Sequence, residues 1–280
     1  MSGRCVSPET PLRLASLAMY GDPPPVRAAT RRLWAHVRDG LRAAGMAGVP
    51  DALDETIAYD AAWLDPHLLL AQTCGYPFAS RLRGQVRLVA TPCYDHPGCD
   101  GPFGGSVIVV RADDPVASIA DLAGRRAAIN DRASNSGYNL LRAAVAPYAR
   151  DGRFFGGVVE TGGHVAGLAA IAAGAADVAA IDSVTWGNIQ RHAPARLTPF
   201  RILGETLRTP GLPLITRATA SDAEVATLRM ALDRAVADPA MAETRHALGL
   251  SGFAVLADAD YDAVLQIERG AIEQGFPIIA

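Results

Sequence analysis

The chain has 280 residues, half of them hydrophobic, and a formal net charge of -3 at pH 7. That length is enough for one large domain or two lobes with a sizeable core. The weakly negative balance argues against a nucleic-acid footprint. No lysine occurs, so arginine supplies every basic side chain other than histidine.

No stretch reaches the roughly 18 uninterrupted apolar residues of a membrane span. The opening M-S-G-R-C-V-S-P-E-T-P-L-R-L has no apolar h-region and no cleavage site of signal-peptide type. No apolar run precedes Arg4-Cys5, so it is not a lipobox. The start reads as trimmed, as misplaced, or as that of a cytoplasmic protein.

In chain order, residues 12–19 read as a buried strand that ends at Tyr20-Gly21-Asp22-Pro23. A proline run leads into a helix over 26–44, with Ala29, Leu33, Val37 and Leu41 on one face. A short strand is expected at 55–59 and a helix at 61–72, closed by the turn chemistry of Thr73-Cys74-Gly75-Tyr76-Pro77. Residues 87–91 form a strand. The Gly-, Pro- and Asp-rich segment 92–105 reads as a loop and as the first crossing between lobes. A strand at 106–111 opens the second lobe, and a short capped helix follows at 118–124. Strand, turn and helix then alternate: strands at 127–129, 155–160 and 178–181, and helices from Gly137, at 167–173 and at 184–189. The return crossing lies at 195–207, with a strand at 214–216. The last seventy residues read as helices at 222–237, 241–247 and 261–274. This alternation implies an α/β fold of two lobes around a cleft. Residues 1–91 and 202–280 would form the first lobe, and 92–201 an inserted second.

The most informative stretch follows the strand at 127–129. Ser134, Asn135, Ser136, Gly137 and Tyr138 sit where an amphipathic helix begins. A helix start leaves backbone N–H groups unpaired and carries partial positive charge, so it suits a carboxylate, sulfate or phosphate. The same residues also make an ordinary N-cap. His164 stands at a second helix start, and Ser106 begins a strand. Tyr20 and Asp182 fall at strand C-termini, where ligands gather in open α/β sheets. Asp182 cannot donate to a dianion, but it can accept from a protonated oxyanion, an amine or a hydroxyl. The four cysteines, Cys5, Cys74, Cys93 and Cys99, match no zinc motif. Cys93 and Cys99 can pair across the D-H-P-G turn, or all can stay reduced. No metal or cofactor is expected.

Five motifs occur in consistent order, within a resemblance that covers about residues 12–250: Q-T-C-G-Y-P (72–77), A-T-P-C-Y-D-H-P-G-C-D-G (90–101), D-L-A-G-R-R (121–126), S-N-S-G-Y (134–138) and G-H-V-A-G-L-A-A-I-A-A-G-A-A-D-V-A-A-I-D (163–182). Together they resemble the phosphonate/phosphate solute-binding proteins of ABC transporters. The resemblance implies a periplasmic-binding-protein type 2 fold, a small oxyanion ligand, an ABC permease as partner, a monomer and a periplasmic address. It implies that Ser134, Ser136, Gly137 and Tyr138 grip the anion, with Ser106 and His164 adding donors. His164 can change charge near neutral pH. Tyr20, Tyr76 and Trp63 would close the other wall, with Asp65 and His67 facing the ligand beside them. Asp182 would hold a ligand amine. A Cys74–Cys99 disulfide is implied in the same way. Asn135 departs from the pattern, standing where the phosphonate proteins carry a small hydroxyl residue, so the loop can favour another oxyanion.

Two other readings accompany this one. The first is a cytoplasmic enzyme on the same fold, acting on a small carboxylate or phosphorylated ligand through His164 and Asp182 or a Cys74 thiolate. The second is a cytoplasmic sensor of such a ligand. No H-E-x-x-H, G-x-S-x-G or P-loop signature supports catalysis.

Overall fold

The computed structural model describes residues 12–279. Cys5 and the N-terminal segment discussed above lie outside them. Two five-stranded sheets organise the chain. In the first, the order is Leu14–Ser16, Leu68–Gln72, Leu214–Arg217, Val86–Tyr94 and Leu250–Ala254. In the second it is Phe200–Glu205, Ser106–Arg111, Val178–Asp182, Arg126–Ile129 and Gly157–Glu160. Both sheets mix parallel and antiparallel pairs.

The central strands are continuous apolar runs because helices cover both of their faces. Leu68–Gln72 is buried at every position, and Ser106–Arg111 at all but the last. The helix Pro24–Ala43 opens on prolines, which the first helical turn tolerates. Its stripe of Val26, Ala29, Leu33, Val37 and Leu41 packs into the first core with Leu228, Ala231 and Leu232 of the helix Asp222–Ala237. A reciprocal Ser221/Glu224 capping box starts that second helix.

The N-terminal expectations need revision. The first strand is only Leu14–Ser16, and Tyr20 ends a 3-10 turn (Ala18–Tyr20) rather than the strand itself. The segment at 55–59 forms no strand. Asp54 Oδ1 accepts from the N–H groups of Thr56 and Ile57, a local alternative to ladder pairing. The helix expected at 61–72 is just Tyr59–Trp63, and L-L-L-A-Q is a strand. A short apolar run buried on both faces has no periodicity to separate strand from helix. The strand Val86–Tyr94 likewise runs on into the segment read as a loop. Its last residues pair with Leu250–Ala254, a strand in the gap between the helices expected at 241–247 and 261–274.

The connections between the two sheets are themselves paired. Cys99–Asp100, Phe103–Gly104 and Thr209–Pro210 form a small three-stranded sheet in which Thr209 opposes Gly104. Phe200–Glu205 pairs with Ser106–Arg111, so residues 202–205 lie with the second sheet and not the first. The chain end also crosses over. Ala271, Phe276 and Ile279 pack into the second core beside Tyr138, Leu141 and Val145. Among the described residues, no helix is long and apolar enough to cross a membrane.

Candidate functional site

Where the two sheets face each other lies a cavity of about 440 Å³, counting its open mouth. Tyr20, Tyr94 and Pro92 line it from the first sheet's side. Asn135, Ser136, Asp182 and Ser183 line it from the second. The paired crossings close the remaining wall through Cys99, Gly104, Gly105, Thr209 and Gly211.

The sequence places the turn of Ser134–Tyr138 there by a cap and a glycine. Ser134 Oγ accepts from Gly137 N–H at 3.0 Å and starts a π-helical turn, Asn135–Asn139, that continues into the helix Leu140–Val145. At Gly137 a Cβ would come within 2.5 Å of the Asn130 side chain, so only glycine lets the turn fold back on the preceding loop. Ser106 Oγ donates to the Ser136 carbonyl at 3.0 Å from its strand, bracing the turn from behind. Asn135 holds three groups together. Its backbone N–H donates to Cys74 Sγ at 3.3 Å, its amide Nδ2 to Thr209 Oγ1 at 2.9 Å, and its Oδ1 accepts from Asn139 Nδ2 at 3.1 Å. Two of the amides expected to face an anion, those of Asn135 and Gly137, therefore have partners within the protein. The turn presents side chains to the cavity in their place.

Behind Ser136 stands His164, the first residue of the helix His164–Ala172. Its Nδ1 lies 3.2 Å from the Ala180 carbonyl and its Nε2 lies 3.0 Å from Ser136 Oγ. A proton on Nδ1 donating to Ala180 leaves Nε2 to accept from the Ser136 hydroxyl; in the other tautomer Nδ1 accepts from the Asp182 N–H at 3.4 Å and Nε2–H donates to Ser136 Oγ. Burial lowers the His164 pKa below its ordinary value, more than the Asp182 carboxylate restores it. Asp182 ends its strand and caps the next helix: its Oδ1 accepts from Val184 N–H at 2.9 Å and from Thr185 N–H at 3.3 Å. Burial, and next the neighbouring Asp182 carboxylate, push the Tyr20 hydroxyl well above its usual pKa. Tyr94, edge-on to Tyr20 with ring centroids 5.8 Å apart, is raised by burial too. Both phenols thus remain O–H donors. Among the described residues, no arginine lines the cavity.

Several residues singled out in the sequence lie elsewhere. The Tyr76 hydroxyl donates to Glu268 Oε1 at 2.7 Å, away from the cavity. Tyr138 is buried, and its hydroxyl accepts from Ile279 N–H at 3.2 Å, so it anchors the chain end. Ser134 and Ser106 act through the backbone of the turn. Trp63 is a core residue whose Nε1 donates to the Gln72 carbonyl. Asp65 caps the His67 N–H, and His67 is exposed on another face. The Cys74–Cys99 disulfide is absent: both thiols are free, as is Cys93. Cys74 Sγ is instead the acceptor that fixes Asn135. Burial raises the Cys74 pKa and carries Cys99 up to about 12. A buried thiol of raised pKa is a poor nucleophile. Tyr94, Ser183 and Thr209 are the lining donors that sequence reading missed. Thr209 carried a signal, since it opens the T-P-G turn of the return crossing.

A family model described as the periplasmic substrate-binding protein of phosphonate ABC transporters matches residues 65–261, more than half of the chain. No curated protein matches the sequence. Among solved structures, a binding-protein component of an ABC phosphonate transporter from Pseudomonas aeruginosa superposes with a TM-score of 0.75 at 17% identity. The alignment covers 95% of this chain and 88% of that one. PhnD1 from Prochlorococcus marinus, in complex with methylphosphonate, gives 0.74 at 16% identity over 95% and 100% of the two chains. The alkanesulfonate-binding protein SsuA from Xanthomonas axonopodis pv. citri, bound to MOPS, gives 0.61 at 18% over 98% and 96%. These similarities show the fold of type 2 periplasmic binding proteins. With the family match, they make this chain a member of the phosphonate-type periplasmic substrate-binding proteins of ABC transporters, a solute-binding component and not an enzyme.

Proposed function

We propose that the cavity takes a small tetrahedral oxyanion that keeps one proton, of the phosphonate, phosphite or phosphate kind, and that the closed protein delivers it to an ABC permease. The observation that carries this reading is the chemistry of the wall: among the described residues, neutral donors from both sides, one carboxylate and no arginine. Tyr20, Tyr94, Ser136 and Thr209 supply hydroxyls, and Asn135 supplies an amide. Neutral donors hold an anion that must later be released. Asp182 repels a full dianion but accepts a hydrogen bond from a P–O–H group or a ligand amine. Because Tyr20 and Tyr94 come from one side and Ser136 and Asp182 from the other, a ligand touching both favours the closed arrangement through its differential affinity. A periplasmic, monomeric protein docking on a permease fits this role.

Calorimetry with phosphate, phosphite, methylphosphonate, 2-aminoethylphosphonate, sulfate and small carboxylates tests the reading. One of the protonatable phosphorus oxyanions should bind best and should raise the melting temperature by mass action. Tight binding of a carboxylate, with no response to any phosphorus oxyanion, would overturn it.

A further inference from the structure

Behind the turn of Ser134–Tyr138 lies a row of buried polar side chains. Asn135 is 5% exposed, Asn139 0% and Arg142 3%. The Arg142 guanidinium donates to Asn139 Oδ1 at 2.8 Å and to the Pro277 carbonyl at 2.6 Å. Asn139 Nδ2 donates to Asn135 Oδ1 at 3.1 Å and to the Val264 carbonyl at 3.0 Å. Asn135 Nδ2 then donates to Thr209 Oγ1 at 2.9 Å. At the other end of the row, Glu268 lies 3.3 Å from Arg142 and accepts from the Tyr76 hydroxyl. A buried charge is costly unless it is paired and hydrogen-bonded, and Arg142 is both.

The row has one direction. The two ends of an amide are alike in shape, so its partners decide which way it points. Arg142 carries only donors and the Val264 carbonyl only accepts, so Asn139 must turn its oxygen to the first and its nitrogen to the second. Reversed, it would face like against like on both sides. Asn139 therefore offers Asn135 a donor, and Asn135 must answer with Oδ1. Thr209 sets no direction of its own, because a hydroxyl both donates and accepts. Asn135 in turn lines the oxyanion cavity, whereas Arg142 stands outside its wall.

We propose that Arg142 is a positioning residue for the ligand: acting through Asn139, it holds Asn135 with its amide nitrogen forward. One Nδ2 hydrogen goes to Thr209 and the second is left for an anion. With Asn135 reversed, its oxygen would stand there and repel the same anion. The inference rests on the oxyanion reading above. It also gives Tyr76 a place, at the far end of the row, where its hydroxyl helps to hold the Glu268 partner of Arg142.

The test is a double-mutant cycle, read by calorimetry with methylphosphonate and in parallel by denaturant titration. Arg142→Met should weaken binding about tenfold or more. Arg142→Lys keeps a head with donors only and should bind more tightly than Arg142→Met. Once Asn135→Ala has removed the amide, adding Arg142→Met should change affinity by less than about twofold, while its cost in stability persists. Equal losses of affinity in both backgrounds would mean that Arg142 only keeps the turn in shape, and would overturn this inference alone. If Arg142→Met fails to fold, the wild type decides by NMR. In nitrogen-15-labelled protein, the Asn135 side-chain N–H resonances, identified by their loss in Asn135→Ala, should shift as methylphosphonate binds. Resonances unchanged at saturation overturn the inference. Failure of the wild type to bind methylphosphonate, phosphite or phosphate overturns the oxyanion reading and this inference with it.

Discussion

Ser136 Oγ and His164 Nε2 are 3.0 Å apart, and the imidazole is held from its other side by the Ala180 carbonyl. The direction of that hydrogen bond decides what Ser136 offers the cavity. With neutral His164 accepting, the serine proton points away from a ligand. If His164 takes up a proton, its Nε2–H donates to Ser136 Oγ, and the serine hydroxyl turns to the anion. Anion binding should therefore be accompanied by proton uptake. Calorimetry in two buffers of different ionisation enthalpy should give different binding heats near neutral pH. His164→Gln keeps a donor toward Ser136 without a titrating ring and should reduce that difference to the part that comes from protonation of the ligand itself.

The same histidine sets a stability trend in the unliganded protein. Burial lowers its pKa, so the folded state binds the proton less readily than the unfolded chain. Its contribution is complete above the unfolded value of about 6.5 and is lost as pH falls through the lower folded value. Thermal melts should show the wild type losing stability on acidification below about pH 6.5, and His164→Gln losing less.

Asp182 combines a cap with a charge, and one substitution separates them. Asp182→Asn retains a good capping side chain but removes the negative charge from the cavity. The melting temperature should stay close to that of the wild type. Affinity for oxyanions without a proton, such as sulfate, should rise relative to methylphosphonate. Asp182→Ala loses the cap as well and should cost about 0.5–2 kcal/mol of stability by denaturant titration.

Gly137→Ala places a methyl group against Asn130. Overpacking of this kind costs about 1–3 kcal/mol. Because the turn carries Asn135 and Ser136, oxyanion affinity should fall along with the melting temperature.

Thr209→Val leaves the Asn135 Nδ2 donor without its partner in a buried position. An unsatisfied buried donor costs about 1–3 kcal/mol. The loss should appear in stability and in affinity together, since Thr209 ties the return crossing to the turn. A normal affinity in a destabilised variant would show that this bond is structural only.

The stretch from the strand at 127–129 to Tyr138 was legible because its signals are local. Ser134 is a real cap, Gly137 is needed where it stands, and a helix does follow. What Asn135 does was not legible. Its partners, Cys74 and Thr209, lie 61 and 74 residues away, and no spacing rule reaches them. The helix at Pro24–Ala43 was clear from its apolar stripe, and the helix at Asp222–Ala237 lies at the bounds expected for it. The strands Leu68–Gln72 and Leu250–Ala254 were missed for different reasons. The first is apolar at nearly every position. The second is defined by its partner, Val86–Tyr94, far away in the chain. Tyr76 and Tyr138 belong to motifs that frame the site, yet their hydroxyls are occupied by Glu268 and the Ile279 amide.

The strand Leu250–Ala254 belongs to the first sheet, yet Phe276 and Ile279 lie in the core under the second, where the Arg142 guanidinium also grips the Pro277 carbonyl. In the closure proposed above, residues 276–279 would therefore move with the Ser136 side and Leu14–Ser16 with the other. A fluorophore pair attached near these two positions would act as a built-in caliper, reporting the swing as energy transfer without any label touching the cavity.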